Sequence, residues 1–226
     1  MGTLYIVATP IGNLDDITYR AVETLKNVDT IACEDTRHTL GLLNKYEIKK
    51  PLISYYAAEE EKGVSRILSK LDKGESVAYV SDAGTPGLSD PGGYLVRKVR
   101  EKAHEIIPIP GPSAFAALIS IGGIPGKTIL FEGFLSLKKG KRKNRLTQLL
   151  EREESFVIYE SPFRVLKVLE ELKELAPDRK IVVGRELTKK FEEILTGNAE
   201  TIIDILSIRG KIQGEFSILI CEKKYV

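Results

Sequence analysis

The chain is predicted to fold as two α/β domains, a mainly parallel N-terminal sheet followed by a mixed C-terminal one. Three observations predict this. Up to residue 110, short apolar runs rich in β-branched residues alternate with longer segments of helical period. The rhythm then breaks at Pro110-Gly111-Pro112-Ser113. Beyond it, two strand-like runs follow each other closely enough to pair antiparallel, so the second sheet is mixed.

In order, residues 4–9, 30–34, 52–56, 76–82 and 105–110 read as strands, and 17–28, 36–46, 63–71 and 92–103 as helices. The strands carry no strict polar alternation, as expected where helices cover both faces of a parallel sheet. Ser113 suits an N-cap for a short apolar helix over 114–121, closed by Gly122 and Gly123. Strands follow at 128–134, 156–160, 181–186, 192–196 and 216–222, with helices at 142–151, 163–175 and 199–208. The domain boundary is placed at the Ser113 helix, giving 1–112 and 113–226.

Composition narrows the class. Hydrophobic residues make up 42% and charged residues 29% of 226, an ordinary globular balance. No apolar run approaches the roughly 20 residues needed to span a bilayer, and the start, Met1-Gly2-Thr3-Leu4-Tyr5-Ile6-Val7, reads as a first strand rather than a signal peptide. Cys33 and Cys221 sit in apolar stretches without a CxxC and read as buried thiols of a reducing cytoplasm. With His38 and His104 the only histidines and no ligand spacing, no metal site is expected. The net charge, 34 − 32 = +2, makes no global case for nucleic-acid binding. A local patch exists: Lys138, Lys139, Lys141, Arg142, Lys143 and Arg145 crowd around Gly140, either as a phosphate-binding stretch or as a solvated loop leading into a helix.

Ligands of open α/β sheets bind at the carboxyl ends of the strands, and there the unusual residues collect. Strand one ends in Ala8-Thr9-Pro10-Ile11-Gly12-Asn13, strand two in Glu34-Asp35-Thr36-Arg37-His38, and strand five in Pro110-Gly111-Pro112-Ser113. Residues 81–92 form a glycine-rich loop far longer than the roughly 2–6 residues of a typical βα connection. Its glycines let backbone amides approach a ligand without an intervening Cβ. In the second domain Tyr159-Glu160-Ser161-Pro162 and Arg185-Glu186-Leu187-Thr188-Lys189 occupy the same kind of position. Any one of these loops could be ordinary turn punctuation. No GxGxxG, GxxxxGK[ST] or GxSxG occurs, which removes the best evidence for dinucleotide binding, phosphoryl transfer and acyl hydrolysis.

The run 81–92, followed by Tyr94-Leu95, resembles the signature of the bacterial 16S ribosomal RNA cytidine 2′-O-methyltransferases, members of the tetrapyrrole (corrin/porphyrin) methylase superfamily. The resemblance continues in order through 7–14, 34–38, 108–113, 131–134, 159–162, 185–189 and Gly214-Glu215-Phe216, over essentially the whole chain. It implies S-adenosylmethionine in a cleft between the two domains, a cytoplasmic homodimer, and 16S rRNA or the small ribosomal subunit as partner. By motif, the cofactor-facing positions are Pro10, Asp82, Thr85, Ser113, Ala114, Tyr159 and Leu187. Three departures stand out. Gly87 replaces a branched apolar residue, Phe163 occupies a position often held by histidine, and the chain stops soon after its last strand where many relatives continue.

Methyl transfer to a ribose hydroxyl calls for in-line geometry and for help to a reluctant nucleophile. The charged strand-end residues Glu34, Asp35, Arg37, Glu160, Arg185 and Lys189 are the candidates. Lys189 or Arg37 would stabilise a developing alkoxide and Glu34 or Glu160 would take the proton. The competing reading makes these residues a structural ion-pair network. Two other functions compete with RNA methylation: a corrin or porphyrin methyltransferase on the same fold, and a non-catalytic ligand-binding or RNA-scaffold protein.

Overall fold

The structure, a computed structural model, describes residues 1–123 and 128–223. It divides into two compact units, Met1–Ser113 and Ala114–Val226.

The first unit is a five-stranded sheet of β1 (Thr3–Val7), β2 (Thr30–Cys33), β3 (Leu52–Ser54), β4 (Val77–Val80) and β5 (Glu105–Ile109). The order is β3-β2-β4-β1-β5 and every pairing is parallel. Helices α1 (Tyr19–Asn27), α2 (Thr36–Lys45), α3 (Glu60–Leu71) and α4 (Gly93–Glu101) make the crossovers. The missing polar alternation has a simple cause. On β4, Ala78 and Val80 pack with Leu25 and Leu43 on one face, while Val77 and Tyr79 pack with Ile67, Leu95 and Val99 on the other. Both faces are covered, so successive residues are all apolar. Helix α3 begins at Glu60, three residues ahead of the predicted 63, so Gly63 lies inside it. There a Cβ would sit 2.6 Å from the Tyr55 ring, so the glycine admits that buried tyrosine.

The second unit opens with α5 (Ala114–Gly122), which Gly123 ends in the left-handed conformation at φ 62°. Its sheet comprises β6 (Ile129–Phe134), β7 (Ser155–Glu160), β8 (Ile181–Arg185), β9 (Glu193–Gly197) and β10 (Phe216–Ile220), in the order β6-β7-β10-β8-β9. Only β6 and β7 run parallel, and the other three pairings are antiparallel, so this sheet is mixed as predicted. Helices α6 (Lys139–Glu151), α7 (Val165–Leu175) and α8 (Ala199–Ser207) bury Leu146, Val168, Leu172 and Ile202 against Phe156, Ile158, Val183 and Ile218. Helix α5 packs on β8 and β10.

One pair is buried at the heart of this unit. Arg142 on α6 forks onto Glu171 on α7 at 2.9 and 2.8 Å, with both side chains 6% exposed. Its remaining arm donates to the carbonyls of Ser136 and Leu137. The helix therefore starts three residues before the predicted 142, and the basic stretch is largely helical rather than a free loop.

Candidate active site

In the first unit the carboxyl ends of the adjacent strands β4, β1 and β5 are tied by backbone. Thr9 and Gly84 form a two-way antiparallel bridge, with N–H to O distances of 2.9 and 3.0 Å. The Thr9 hydroxyl donates to the Ser81 carbonyl at 3.1 Å, and the Thr85 hydroxyl to the Pro112 carbonyl at 3.1 Å. The Asp35 amide donates to Asp82 Oδ1 at 3.1 Å, which joins the β2 loop to the same edge. Pro10, Asp82 and Thr85 thus lie on loops held together by direct bonds. Gly84 sits at φ 82°, where a side chain is strained, and Gly92 at φ 131° with the Tyr79 ring 2.8 Å from where a Cβ would lie.

Three acids share this edge. Burial raises the Glu34 carboxyl above its ordinary value, and the Asp82 charge adds to the shift. Asp90 is pushed up to about 6 by burial and by Glu34, against a hydrogen bond from Ser81. Sequence reading did not single out Asp90, because nothing in a Ser-Asp-Pro turn signals that two other carboxyls converge on it.

Ser113 corrects an expectation. Its hydroxyl oxygen is buried and makes no hydrogen bond, so it does not cap α5, which begins at Ala114. A buried hydroxyl left unpaired costs stability unless something else supplies its partner.

In the second unit Tyr159, one residue before the end of β7, lies inside a chain of edge-to-face rings. Phe115 meets Phe131 at 5.0 Å, Phe131 meets Tyr159 at 5.0 Å, and Tyr159 meets Phe134 at 5.8 Å. Leu187 is buried against Gly184, where a Cβ would lie 2.8 Å from its Cδ2. The loop after β8 is strained. Glu186 has φ 52° and Thr188 φ 66°, a conformation β-branched residues rarely adopt. The Thr188 hydroxyl is also buried without a partner. This second unpaired hydroxyl was absent from the sequence-based set, since backbone strain leaves no mark in composition.

The proposed catalytic side chains are mostly committed locally. Glu160 is 2% exposed and accepts two bonds from Arg164 and one from the Ser161 amide, so most of its acceptor sites are occupied. Arg37 is exposed and pairs with Asp35, which also caps α2 by accepting from the Arg37 amide. Lys189 bridges Glu186 and Glu215 at 3.0 and 2.8 Å; burial works against its charge, and the two carboxylates outweigh it and hold the ammonium up. Arg185 and Arg209 share Glu193. Among the described residues Glu34 alone of the four makes no ion pair.

The basic stretch divides as well. Arg142 is in the core, Lys143 pairs with Glu174, and Arg145 forks onto Glu132 at 2.7 and 2.6 Å. Buried Arg142 is therefore withdrawn from the phosphate-contacting set. Lys138, Lys139 and Lys141 form no ion pair among the described residues. Among those residues no group of three His, Cys, Asp or Glu could hold a metal, and no helix is long and apolar enough to cross a membrane.

The family model described as Tetrapyrrole (Corrin/Porphyrin) Methylases matches residues 3–203. The chain belongs to that methylase family. A relative from Borrelia garinii subsp. bavariensis, named Ribosomal RNA small subunit methyltransferase I, is 48% identical over 96% of this chain and 97% of its own. A Thermotoga maritima protein of the same name is 43% identical over 99% and 100%. Among solved structures, the uroporphyrin-III C-methyl transferase of Thermus thermophilus complexed with S-adenyl homocysteine superposes with a TM-score of 0.67 at 17% identity, covering 96% of this chain and 97% of that one. It shows that the methylase fold runs through both units.

Proposed function

We propose that this chain methylates small-subunit ribosomal RNA with S-adenosylmethionine, at the 2′-oxygen of a cytidine. The observation that carries the reading is the near-complete match, at 43–48% identity, to methylase-family relatives that share one name. The residues present fit the cofactor. Ser113 and Thr188 each hold a buried hydroxyl with no partner, on strand-end loops of the two units. Bare backbone at Gly84 leaves room for close approach, and the Ser113 hydroxyl stands at the start of a helix, where a carboxylate is favoured.

S-adenosylmethionine, when bound, supplies an electrophilic methyl group on a sulfonium. Pro10, Asp82, Thr85 and Ser113 are proposed to hold it from the first unit, Ala114, Tyr159 and Leu187 from the second. Glu34 is the proposed acceptor of the ribose proton, since it is unpaired and its carboxyl is already shifted toward neutral, where general bases work best. Lys189, fixed between two carboxylates, is proposed to orient and to offset developing negative charge. Lys138, Lys139 and Lys141 supply phosphate contacts. The enzyme is proposed to act as a cytoplasmic homodimer.

The test supplies labelled S-adenosylmethionine with small ribosomal subunits, or with their naked RNA, both lacking the modification. Label on one cytidine ribose is the expected result. Cofactor binding without RNA labelling would transfer the proposal to a tetrapyrrole acceptor.

A further inference from the structure

Three of the exposed apolar residues of the second unit lie at the end of β6 and in the loops after β6 and β7. Phe134 is 61% exposed at the end of β6, Leu137 80% exposed three residues on, and Phe163 84% exposed in the loop after β7. One hydrogen bond draws these loops together: the Arg164 guanidinium donates to the Leu135 carbonyl at 3.0 Å. Phe163 and Phe134 are the immediate chain neighbours of its two ends. A β-bulge at Glu132 shifts the strand register, so that Phe134 pairs with Tyr159 and its ring meets that of Tyr159. The exposed patch is thus the outer end of the ring chain that begins at Phe115.

Its surroundings are cationic. Leu137 lines a cavity of about 510 Å³ with Lys139 and Lys167. These two lysines, with Lys138 and Lys141, make no ion pair among the described residues. Glu171 and Glu174, which also line the cavity, are neutralised by Arg142 and Lys143, which leaves Glu170 as the opposing charge. Exposed rings on the two loops that also bring Leu137 and Arg164 to this lysine-lined cavity suit one occupant in particular. Unstacked RNA bases lie on aromatic side chains while their phosphates meet cations. A protein surface would not call for this local excess of positive charge.

We propose that Phe134 and Phe163 form a stacking platform for unpaired bases of the RNA substrate, with Lys138, Lys139 and Lys167 on the adjoining phosphates. This rests on the reading of the chain as an RNA methyltransferase and extends it, because it places single-stranded RNA beside Tyr159.

The test compares Phe163→Ala, Phe163→Leu and Phe163→Trp in the full-length enzyme, together with Phe134→Ala. Measured are RNA affinity, the KM for RNA against kcat, S-adenosylmethionine affinity and sedimentation. Alanine and leucine are expected to weaken RNA binding by about 5- to 150-fold, the range of a lost base stack. Tryptophan should restore it, and cofactor affinity should hold in the three Phe163 variants. Equal RNA affinity in wild type and Phe163→Ala would overturn the platform. So would a dimer that dissociates on substitution, which would assign the patch to a second copy of the chain. If the wild-type enzyme binds cofactor but methylates no RNA, the underlying reading fails instead, and the two failures are distinct.

Discussion

The two units present the carboxyl ends of their strands in different ways. In the first, uncharged bonds hold the loops: the Thr9–Gly84 backbone bridge and the Thr85 hydroxyl on the Pro112 carbonyl. In the second, ion pairs hold them, through Glu160–Arg164, Lys189 with Glu186 and Glu215, and Arg142–Glu171 behind. A loop whose backbone must come close to a small molecule gains from lacking side chains. A loop beside a large polyanion can carry charged locks and free lysines together. Most of the charged strand-end residues singled out by sequence make ion pairs with neighbours: Arg37 with Asp35, Glu160 with Arg164, and Lys189 with Glu186 and Glu215.

Breaking the strongest lock gives the largest effect. Arg142→Ala leaves Glu171 buried and unpaired, and is expected to cost about 3–5 kcal/mol in urea unfolding. Replacing both residues by apolar ones of similar volume should recover most of that loss. If Arg142→Ala instead unfolds at the wild-type midpoint, the lock is no lock.

At the other edge, Gly84→Ala forces a side chain to φ 82°, at about 1–2 kcal/mol, and is expected to weaken S-adenosylmethionine binding more than it weakens RNA binding. Ser113→Ala sharpens the contrast. It deletes a buried hydroxyl that has no partner in the free protein, so the unliganded melting temperature should hold or rise. Cofactor affinity should fall by roughly tenfold, corresponding to about 1.4 kcal/mol. An equal loss in both would make Ser113 merely structural.

The smallest effect is a pH dependence. The folded-state carboxyl of Asp90 is raised to about 6 from an ordinary 3.8. A raised acid favours the fold below its unfolded value and loses that contribution as pH climbs through the folded one. Asp90→Asn should therefore melt progressively higher than wild type as pH rises from about 4 to 7, and the two should converge in acid. A constant difference across that window would remove Asp90 from the acid cluster.

Much of this was legible before any coordinates. The β-branched runs of the first domain announced a sheet covered on both faces. What stayed hidden is tertiary. Arg142 looks like its basic neighbours, and only the approach of α7 buries it against Glu171. Glu160 looks like a strand-end acid until Arg164, four residues on, folds back over it. Ser113 has the residue type of a helix cap, yet its buried hydroxyl makes no hydrogen bond. Residue type and spacing report local structure well, and they report poorly which of several like charges will be buried.

S-adenosylmethionine is proposed to bind the loops joined at Thr9, Gly84 and Pro112, together with Ser113 and Thr188. Amide hydrogen exchange with and without the cofactor tests this most directly. The account predicts slowed exchange concentrated at residues 83–85, 113–115 and 187–188, with α8 unchanged. Saturating cofactor that leaves those three segments unprotected, and slows exchange elsewhere, would contradict it.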